Sequence, residues 1–463
     1  MARSVASTSG ETAKVDWLWW GLIALLGWVA IPFGSNRPWA WSLAALWTAL
    51  LLFGWAVDLF RGRRQLVWRS AMVVPLALLG LVLAWIVASI VPGVGPAHPI
   101  WQVASETLGR PLPGRMTLSV EATLVALMRL LSYVTVFWLA FQLCRHRDKA
   151  LAMARWITGI SVVLALYGLI GYFAGNSYIL WFERWTGLND VTSTFVNRNH
   201  YATFAAMGLL LAVGLVVNAF RAAWSVSDRS QRWLVRFIES FAGTPIRYAL
   251  AALVIAMAWL QTHSRMGAVA GLAGLVILLI LMWATGMVRR VTAIIVVAGV
   301  VLLLLFQVSG GGVWERIHAD TGPDDRVGLF AIVGDQIESA PLTGSGYGTF
   351  AQSFPMYRDL RLPNKLIYQA AHNTYLEAAS EIGIPAAVAL TVIPLWCAAL
   401  CLIGAFRRRK DRMPAMVAVA SSAVVAVHSL ADFSIQMPAV AMLYAAILGM
   451  GVAQSWSTAA NSE

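Results

Sequence analysis

Residues 266–286 read MGAVAGLAGLVILLILMWATG, without a charged side chain, between Ser264-Arg265 on one side and Arg289-Arg290 on the other. A helix of that length rises about 30 Å, the thickness of the hydrocarbon core of a bilayer. Peptide groups inside lipid have no water to bond to, so such a run must satisfy them internally as a helix. Similar runs recur outward from this one, near 17–33, 39–60, 69–91, 122–144, 150–173, 197–219, 247–262, 291–308, 383–405, 414–432 and 437–456. The expectation is an all-α, polytopic integral membrane protein of about twelve transmembrane helices.

Composition agrees. The 463 residues are 59% hydrophobic and 12% charged, with a mean hydropathy of +0.70. A soluble chain carries roughly a quarter charged residues, so this one cannot clothe a water-facing surface. Tryptophans such as Trp17, Trp19, Trp20, Trp39 and Trp41 fall near the ends of apolar runs, where an amphipathic ring suits the membrane interface. The net charge of +12 would suit nucleic acid, but the basic residues sit in short loops between apolar runs, the pattern of a positive-inside membrane protein. No nucleic-acid partner is expected. The three cysteines, Cys144, Cys397 and Cys401, lie in or beside apolar segments without a CxxC pair, so neither a disulfide framework nor a zinc site is indicated. Residues 1–16 are polar and the first apolar run reads as a retained span, not a cleaved leader.

With the N-terminus inside, the inner loops carry Arg61, Arg63, Arg64 and Arg69, then Arg145, Arg147 and Lys149, then Arg221 to Arg247, then Arg289 and Arg290, then Arg407 to Arg412. The alternation holds across all twelve spans, and one missed helix would invert it. Two outer segments are long. Residues 92–121 are rich in Pro and Gly. The loop before the tenth helix, 309–382, is too long for a connector. Within it Asp325 to Ser339 is expected to be helical, with Leu329, Val333 and Ile337 on one face, Asp324 or Asp325 as N-cap and Pro341 beyond the end. The run Gly344-Ser345-Gly346-Tyr347-Gly348 imitates a phosphate loop, but no strand precedes it.

Polar groups collect on that outer side. Arg198 and His200 lie in Phe195-Val196-Asn197-Arg198-Asn199-His200, Ser264 and Arg265 in a tight turn, and His372 and Asn373 at the end of the long loop. His428 and Asp432 are four apart on the expected eleventh helix, and Arg37 lies in the first outer turn. Ionisable groups at the lip of a span are costly and are kept mostly for function. Each also has a structural reading. Arg198 and Arg265 can anchor in the interface, His372 can cap a helix, Glu377 and Glu381 can pair with basic neighbours, and Asp432 can lock His428. Together, two arginines and a histidine on one face suit transfer from a diphosphate. Guanidinium forks match phosphate oxygens at any working pH, and a neutral imidazole can take a proton from a hydroxyl. Without an Asp-x-Asp pair or a nucleophile elbow, neither metal-assisted nor serine chemistry is expected.

At these residues the sequence resembles the O-antigen ligase and O-antigen polymerase superfamily of bacterial envelope enzymes. The motif His372-Asn373-Thr374-Tyr375-Leu376-Glu377 running to Glu381-Ile382-Gly383 is similar to the signature that closes the large periplasmic loop there. The 195–200 run, the Ser264-Arg265 turn, the stretch from Asp325-Arg326 to Gly348, and His428-Ser429-Leu430-Ala431-Asp432-Phe433 are also similar. The resemblance covers roughly 180–440. It implies an inner-membrane glycosyltransferase, active face periplasmic, that moves a glycan from undecaprenyl diphosphate to a hydroxyl of lipid A-core or of a growing glycan, with no cofactor and no metal. Arg198 and Arg265 would bind the diphosphate and His372 would act on the acceptor. His200, Arg37, Arg326, Asn373, His428 and Asp432 would position substrate or support these residues. The chain would divide into a cytoplasmic tail (1–16), nine helices (17–308), the periplasmic loop (309–382), three helices (383–456) and a second tail (457–463). Ligase and polymerase share these motifs. A secondary transporter of a small anion, or a non-catalytic subunit of an envelope assembly complex, is the alternative reading.

Overall fold

A helix whose apolar face runs all the way round must be covered by other helices or by lipid, and both cases occur. The computed structural model describes residues 16–184, 187–226, 232–289, 325–364 and 366–457. The expected ninth span, 291–308, and the N-cap candidate Asp324 lie outside them.

Seven described helices are long and apolar enough to cross a membrane. They are α2 (Pro38–Phe60), α3 (Val73–Ile90, preceded by a 3-10 turn from Ser70), α5 (Val120–Leu143), α6 (Arg147–Phe173), α7 (Arg198–Val226), α10 (Arg265–Ala284) and α13 (Thr374–Arg407). Four apolar helices are shorter: α1 (Trp17–Ala30), α9 (Thr244–Leu260), α14 (Met413–His428) and α15 (Pro438–Ala453). Between them lie α4 (Ile100–Leu108), a two-stranded antiparallel hairpin pairing Tyr178–Ile179 with Phe182–Glu183, and α8 (Trp233–Phe241). The expected all-α architecture holds, and eleven apolar helices fall where eleven of the twelve spans were read.

All sixteen residues of α15 are buried. This helix is the centre of the bundle, packed on α5 and α14, so its shortness is covered by protein at both ends. Local chemistry sets the starts. Ser119 caps α5, Ser264 caps α10, and Pro38 occupies the first turn of α2, where its missing N–H costs nothing.

One end of the bundle, here the far end, gathers the basic loops. Asp16 binds Arg64 at 2.5 Å and Lys149 at 3.1 Å, and Gln454 Nε2 donates to the Cys144 carbonyl at 2.6 Å. The other, the site end, carries the α1–α2, α9–α10 and α14–α15 turns. The long loop resumes there as α11 (Asp325–Ser339) and α12 (Phe350–Ser353). Leu329 and Val333 of α11 are buried with Phe350, Phe354, Leu362 and Ala371 in a small core of their own, against which Ile337 packs. The α11 boundaries, the shared face and the stop before Pro341 are as expected.

Two boundaries differ from expectation. The tenth helix was expected from 383, but α13 starts at Thr374. Asn373 caps it by accepting from the Tyr375 and Leu376 amides, both at 3.1 Å. At Gly383 the chain leaves helical geometry with φ of 76°, and a side chain there would collide with the Leu342 carbonyl. The eleventh helix stops at His428, so Asp432 lies in the following turn and not on the same helix face.

Candidate functional site

The α14–α15 turn buries Asp432 completely, and the other site-end segments converge on it. Asn199 Nδ2 donates to its Oδ1 at 3.2 Å, and Ser434 Oγ donates to Oδ2. His200 Nε2 stands 3.9 Å from Oδ2 and His372 Nδ1 stands 3.9 Å from Oδ1. These are charge-range separations, too long for direct hydrogen bonds. Phe433 lies between the two imidazoles, edge to face with both, at centroid distances of 4.8 and 5.0 Å. His428 is held on the other side, its Nδ1 2.5 Å from Thr203 Oγ1. Among the described residues, His200 Nε2, His372 Nδ1 and His428 Nε2 are buried without a hydrogen-bond partner. Such orphans cost about 1–3 kcal/mol each. Native folds keep few of them, and three of them close to one carboxylate make this the candidate site.

Asn199 joins the motifs. Its Nδ2 reaches Asp432, while its Oδ1 accepts from Ser264 Oγ at 2.7 Å, the hydroxyl that also caps α10. The side chains flanking this link are Arg198 and Arg265. Arg198 opens α7, is 44% exposed, and donates to Asp190 Oδ2 at 2.8 Å. Asp190 Oδ1 lies 3.0 Å from His263 Nδ1. Burial pushes the Asp190 carboxyl up, but the His263 hydrogen bond and the Arg198 guanidinium outweigh it and hold the carboxyl below its usual range. Arg265 is exposed and makes no hydrogen bond or ion pair to the described residues. Arg184 braces the same loop, donating to the carbonyls of Asp190 and Leu188 and to Thr192 Oγ1. The face is therefore rich in guanidinium groups with open donor positions, the equipment for an anionic group.

The loop before α13 sets His372. Its φ of 53° is left-handed, a strain of about 1–3 kcal/mol for a non-glycine residue. Both neighbours fix it. Ala371 N donates to Glu377 Oε2 at 2.7 Å, and Asn373 Nδ2 donates to the Leu430 carbonyl at 3.0 Å. Thr374 N and Oγ1 bond the carbonyls of Ser429 and Asp432 at 2.9 and 3.0 Å. With Nδ1 turned toward Asp432 and the side chain a third exposed, the open side of the ring is its Nε2. A carboxylate facing one nitrogen from beyond hydrogen-bond reach leaves the second nitrogen open to a ligand.

The glycine-rich run is not an anion cradle. Gly344 N bonds the Ala340 carbonyl at 2.9 Å, and the next two amides go to α13: Ser345 N bonds the Ser380 carbonyl at 3.0 Å and Gly346 N bonds that of Glu381 at 2.7 Å. Glu381 closes the clasp by accepting from Phe350 N at 2.9 Å. Glu377 and Glu381, read as pairing with basic neighbours, thus bind backbone amides first, although Arg129 stands near Glu381.

The structure therefore brings His372, Asn373, His200, His428 and Asp432 together. Arg198 and Arg265 border them through Asn199 and Ser264. Arg326, on the first turn of α11, is close enough to His428 for their charges to interact. Arg37 is apart, over the Phe33 ring at 5.8 Å beside a small cleft with Phe182 and Arg184. Sequence reasoning missed Asp190, His263 and the linking role of Asn199. Their signal was adjacency, since each stands beside a motif already singled out. Among the described residues no cluster of three or more His, Cys, Asp or Glu has the arrangement of a metal site.

Residues 250–391, just under a third of the chain, match the family model described as O-antigen ligase, which bears out the resemblance to that superfamily. The matched stretch contains Arg265, His372 and Asn373, and excludes Arg198, His200, His428 and Asp432. No curated protein matches the chain.

Proposed function

With that family likeness as premise, we propose that the protein is a membrane glycosyltransferase of the O-antigen ligase or polymerase kind, working on the periplasmic face of a bacterial inner membrane. The donor is a glycan on undecaprenyl diphosphate and the acceptor is a hydroxyl of lipid A-core or of another carrier-bound glycan. Arg265 and the open donors of Arg198 hold the diphosphate. His372 Nε2 takes the proton as the acceptor oxygen attacks the anomeric carbon. The bond from that carbon to the diphosphate oxygen breaks, and undecaprenyl diphosphate leaves with the electron pair. Guanidinium charge stabilises the leaving group as its negative charge grows, the kind of contact worth about a hundredfold to a thousandfold in rate. Asp432 stands behind the imidazole, 3.9 Å from its Nδ1.

The observation that carries this reading is the Asn199 link. One amide ties the arginine-bearing turn of α10 and the start of α7 to the carboxylate behind His372.

The test is complementation of a strain deleted for the chain. His372→Ala and Arg265→Ala should each lower glycan transfer by about a hundredfold or more while inserting normally. Electrophoresis of lipopolysaccharide and secreted polysaccharide assigns the acceptor. Uncapped lipid A-core with carrier-bound chains accumulating means a ligase, and accumulated single repeat units mean a polymerase. Full transfer by both variants would overturn the mechanism.

A further inference from the structure

The α9–α10 turn holds a titratable group that the transfer step leaves unused. His263 stands directly before Ser264, the cap of α10, and two residues before Arg265. Its Nδ1 lies 3.0 Å from Asp190 Oδ1, a true hydrogen-bond distance, whereas His200 and His372 each stand 3.9 Å from Asp432. The other oxygen of Asp190 accepts from Arg198 at 2.8 Å. One carboxylate thus sets an imidazole beside a guanidinium, and Arg265 follows the imidazole on the same turn.

A structural tie alone does not account for this histidine. Val191 N already fastens the turn to the Asp190 loop, donating to the Gln261 carbonyl at 2.9 Å, and Ser264 Oγ fastens it to Asn199 of α7. His263 has a φ of 48°, left-handed geometry that glycine or asparagine adopts at lower cost. Its side chain is 25% exposed. Among the described residues nothing bonds its Nε2, which is not one of the buried orphans, so that nitrogen is open.

The pairing fixes the tautomer. Burial pushes the Asp190 carboxyl up, but the His263 bond and the Arg198 charge outweigh it, so the group is ionised and only accepts. Nδ1 therefore carries the hydrogen, and Nε2 can donate only when the ring is cationic. The charged groups of this turn and the loop packed on it are Asp190, Arg184, Arg198 and Arg265. The three guanidinium groups oppose a further positive charge, and the single carboxylate favours it. A diphosphate among them tips that balance toward the imidazolium.

We propose that His263 is a third ligand of the diphosphate, beside Arg198 and Arg265, taking up a proton as the anion arrives and donating through Nε2 to a phosphate oxygen. The proton comes from solvent and stays on the ring, and no bond of the donor changes. Assigning the diphosphate to a glycan donor rests on the transfer reading above, whereas affinity for a diphosphate does not.

The test uses the full chain in nanodiscs with farnesyl diphosphate as the probe, titrated calorimetrically in two buffers of different ionisation heat. It is run at a pH of about 8, where free imidazole and free diphosphate have both lost most of their titratable protons. Wild type should take up protons with the probe, and its affinity should fall as pH rises further. His263→Gln puts an uncharged N–H near the Nε2 position and should bind without that uptake. His263→Asn keeps only the contact to Asp190 and should bind about tenfold more weakly, the loss of one hydrogen bond to a charged group. Asparagine tolerates left-handed φ, so this variant should fold. An asparagine variant that binds as tightly as wild type, or a glutamine variant with the wild-type proton uptake, overturns the proposal. Arg265→Ala separates this from the donor reading. If it too binds the probe like wild type, the diphosphate site itself is misplaced. If it binds weakly while the His263 variants match wild type, only the present proposal fails.

Discussion

At the far end of the bundle Arg408 donates to the Gln454 carbonyl at 2.6 Å, Arg412 to that of Thr285 at 3.1 Å and Arg221 to that of Gly286 at 2.8 Å. These carbonyls lie at or just past the C-terminal ends of α15 and α10, where unbonded oxygens and the helix dipole attract cations. At the site end the guanidinium groups meet a different setting. Arg265 has no partner among the described residues, and Arg198 gives one nitrogen to Asp190 and stays 44% exposed. Strain divides in the same way. Of the seven described non-glycine residues with positive φ, six (Phe33, Ser35, Leu180, Ser193, His263 and His372) lie at the site end and only Asp411 at the other. Counting arginines cannot separate the two ends. What each guanidinium faces, and where the backbone is held out of its relaxed conformation, does.

The largest expected effect that would break this contrast is at Asp432. Asp432→Ala strips the acceptor from the Asn199 amide and the Ser434 hydroxyl, and should cost about 3 kcal/mol of stability, read as earlier thermal unfolding in detergent. Transfer should fall with it, and Asp432→Asn, which keeps the shape, should unfold later than the alanine variant. An unchanged melting curve for the alanine form would remove the idea that the site-end segments are fastened at this carboxylate.

Next in size is a matched pair. Arg265→Lys loses the planar fork at the open face and should lower transfer about tenfold with unchanged folding. Arg408→Lys at the far end should leave transfer within about twofold, since its role is to cap a helix end. Equal losses would erase the distinction.

Asp190→Asn sharpens the comparison with the smallest effect. It keeps the shape but removes the charge that holds Arg198 and His263, and should raise the donor KM about fivefold, the worth of one lost hydrogen bond, with kcat nearly constant. A fall confined to kcat would place Asp190 in the chemical step instead.

The spans were legible because hydropathy reports on lipid contact, and α11 because Leu329, Val333 and Ile337 repeat at helical spacing. The start of α13 was not. Glu377, Ser380 and Glu381 are polar, and only the three-dimensional fold shows them buried beneath the glycine-rich clasp. The motifs marked His372, Arg198 and Arg265 one by one. That Asn199 joins two of them, or that Asp190 reaches His263 across 73 positions, depends on contacts distant in sequence. The His428–Asp432 spacing misled for a local reason: the helix ends at His428, and the turn after it carries the carboxylate elsewhere.

Ala371 belongs to the miniature core of the outer segment, whereas Asn373 and Thr374 are fastened to the turn after α14. His372 is therefore one of two joints between the outer segment and the bundle, the glycine-rich clasp on α13 being the other. A load that shifts the segment against the bundle reaches this imidazole through the peptide bonds on either side of it. An antibody gripping the outer segment would act on the imidazole from a distance, without ever entering the cleft.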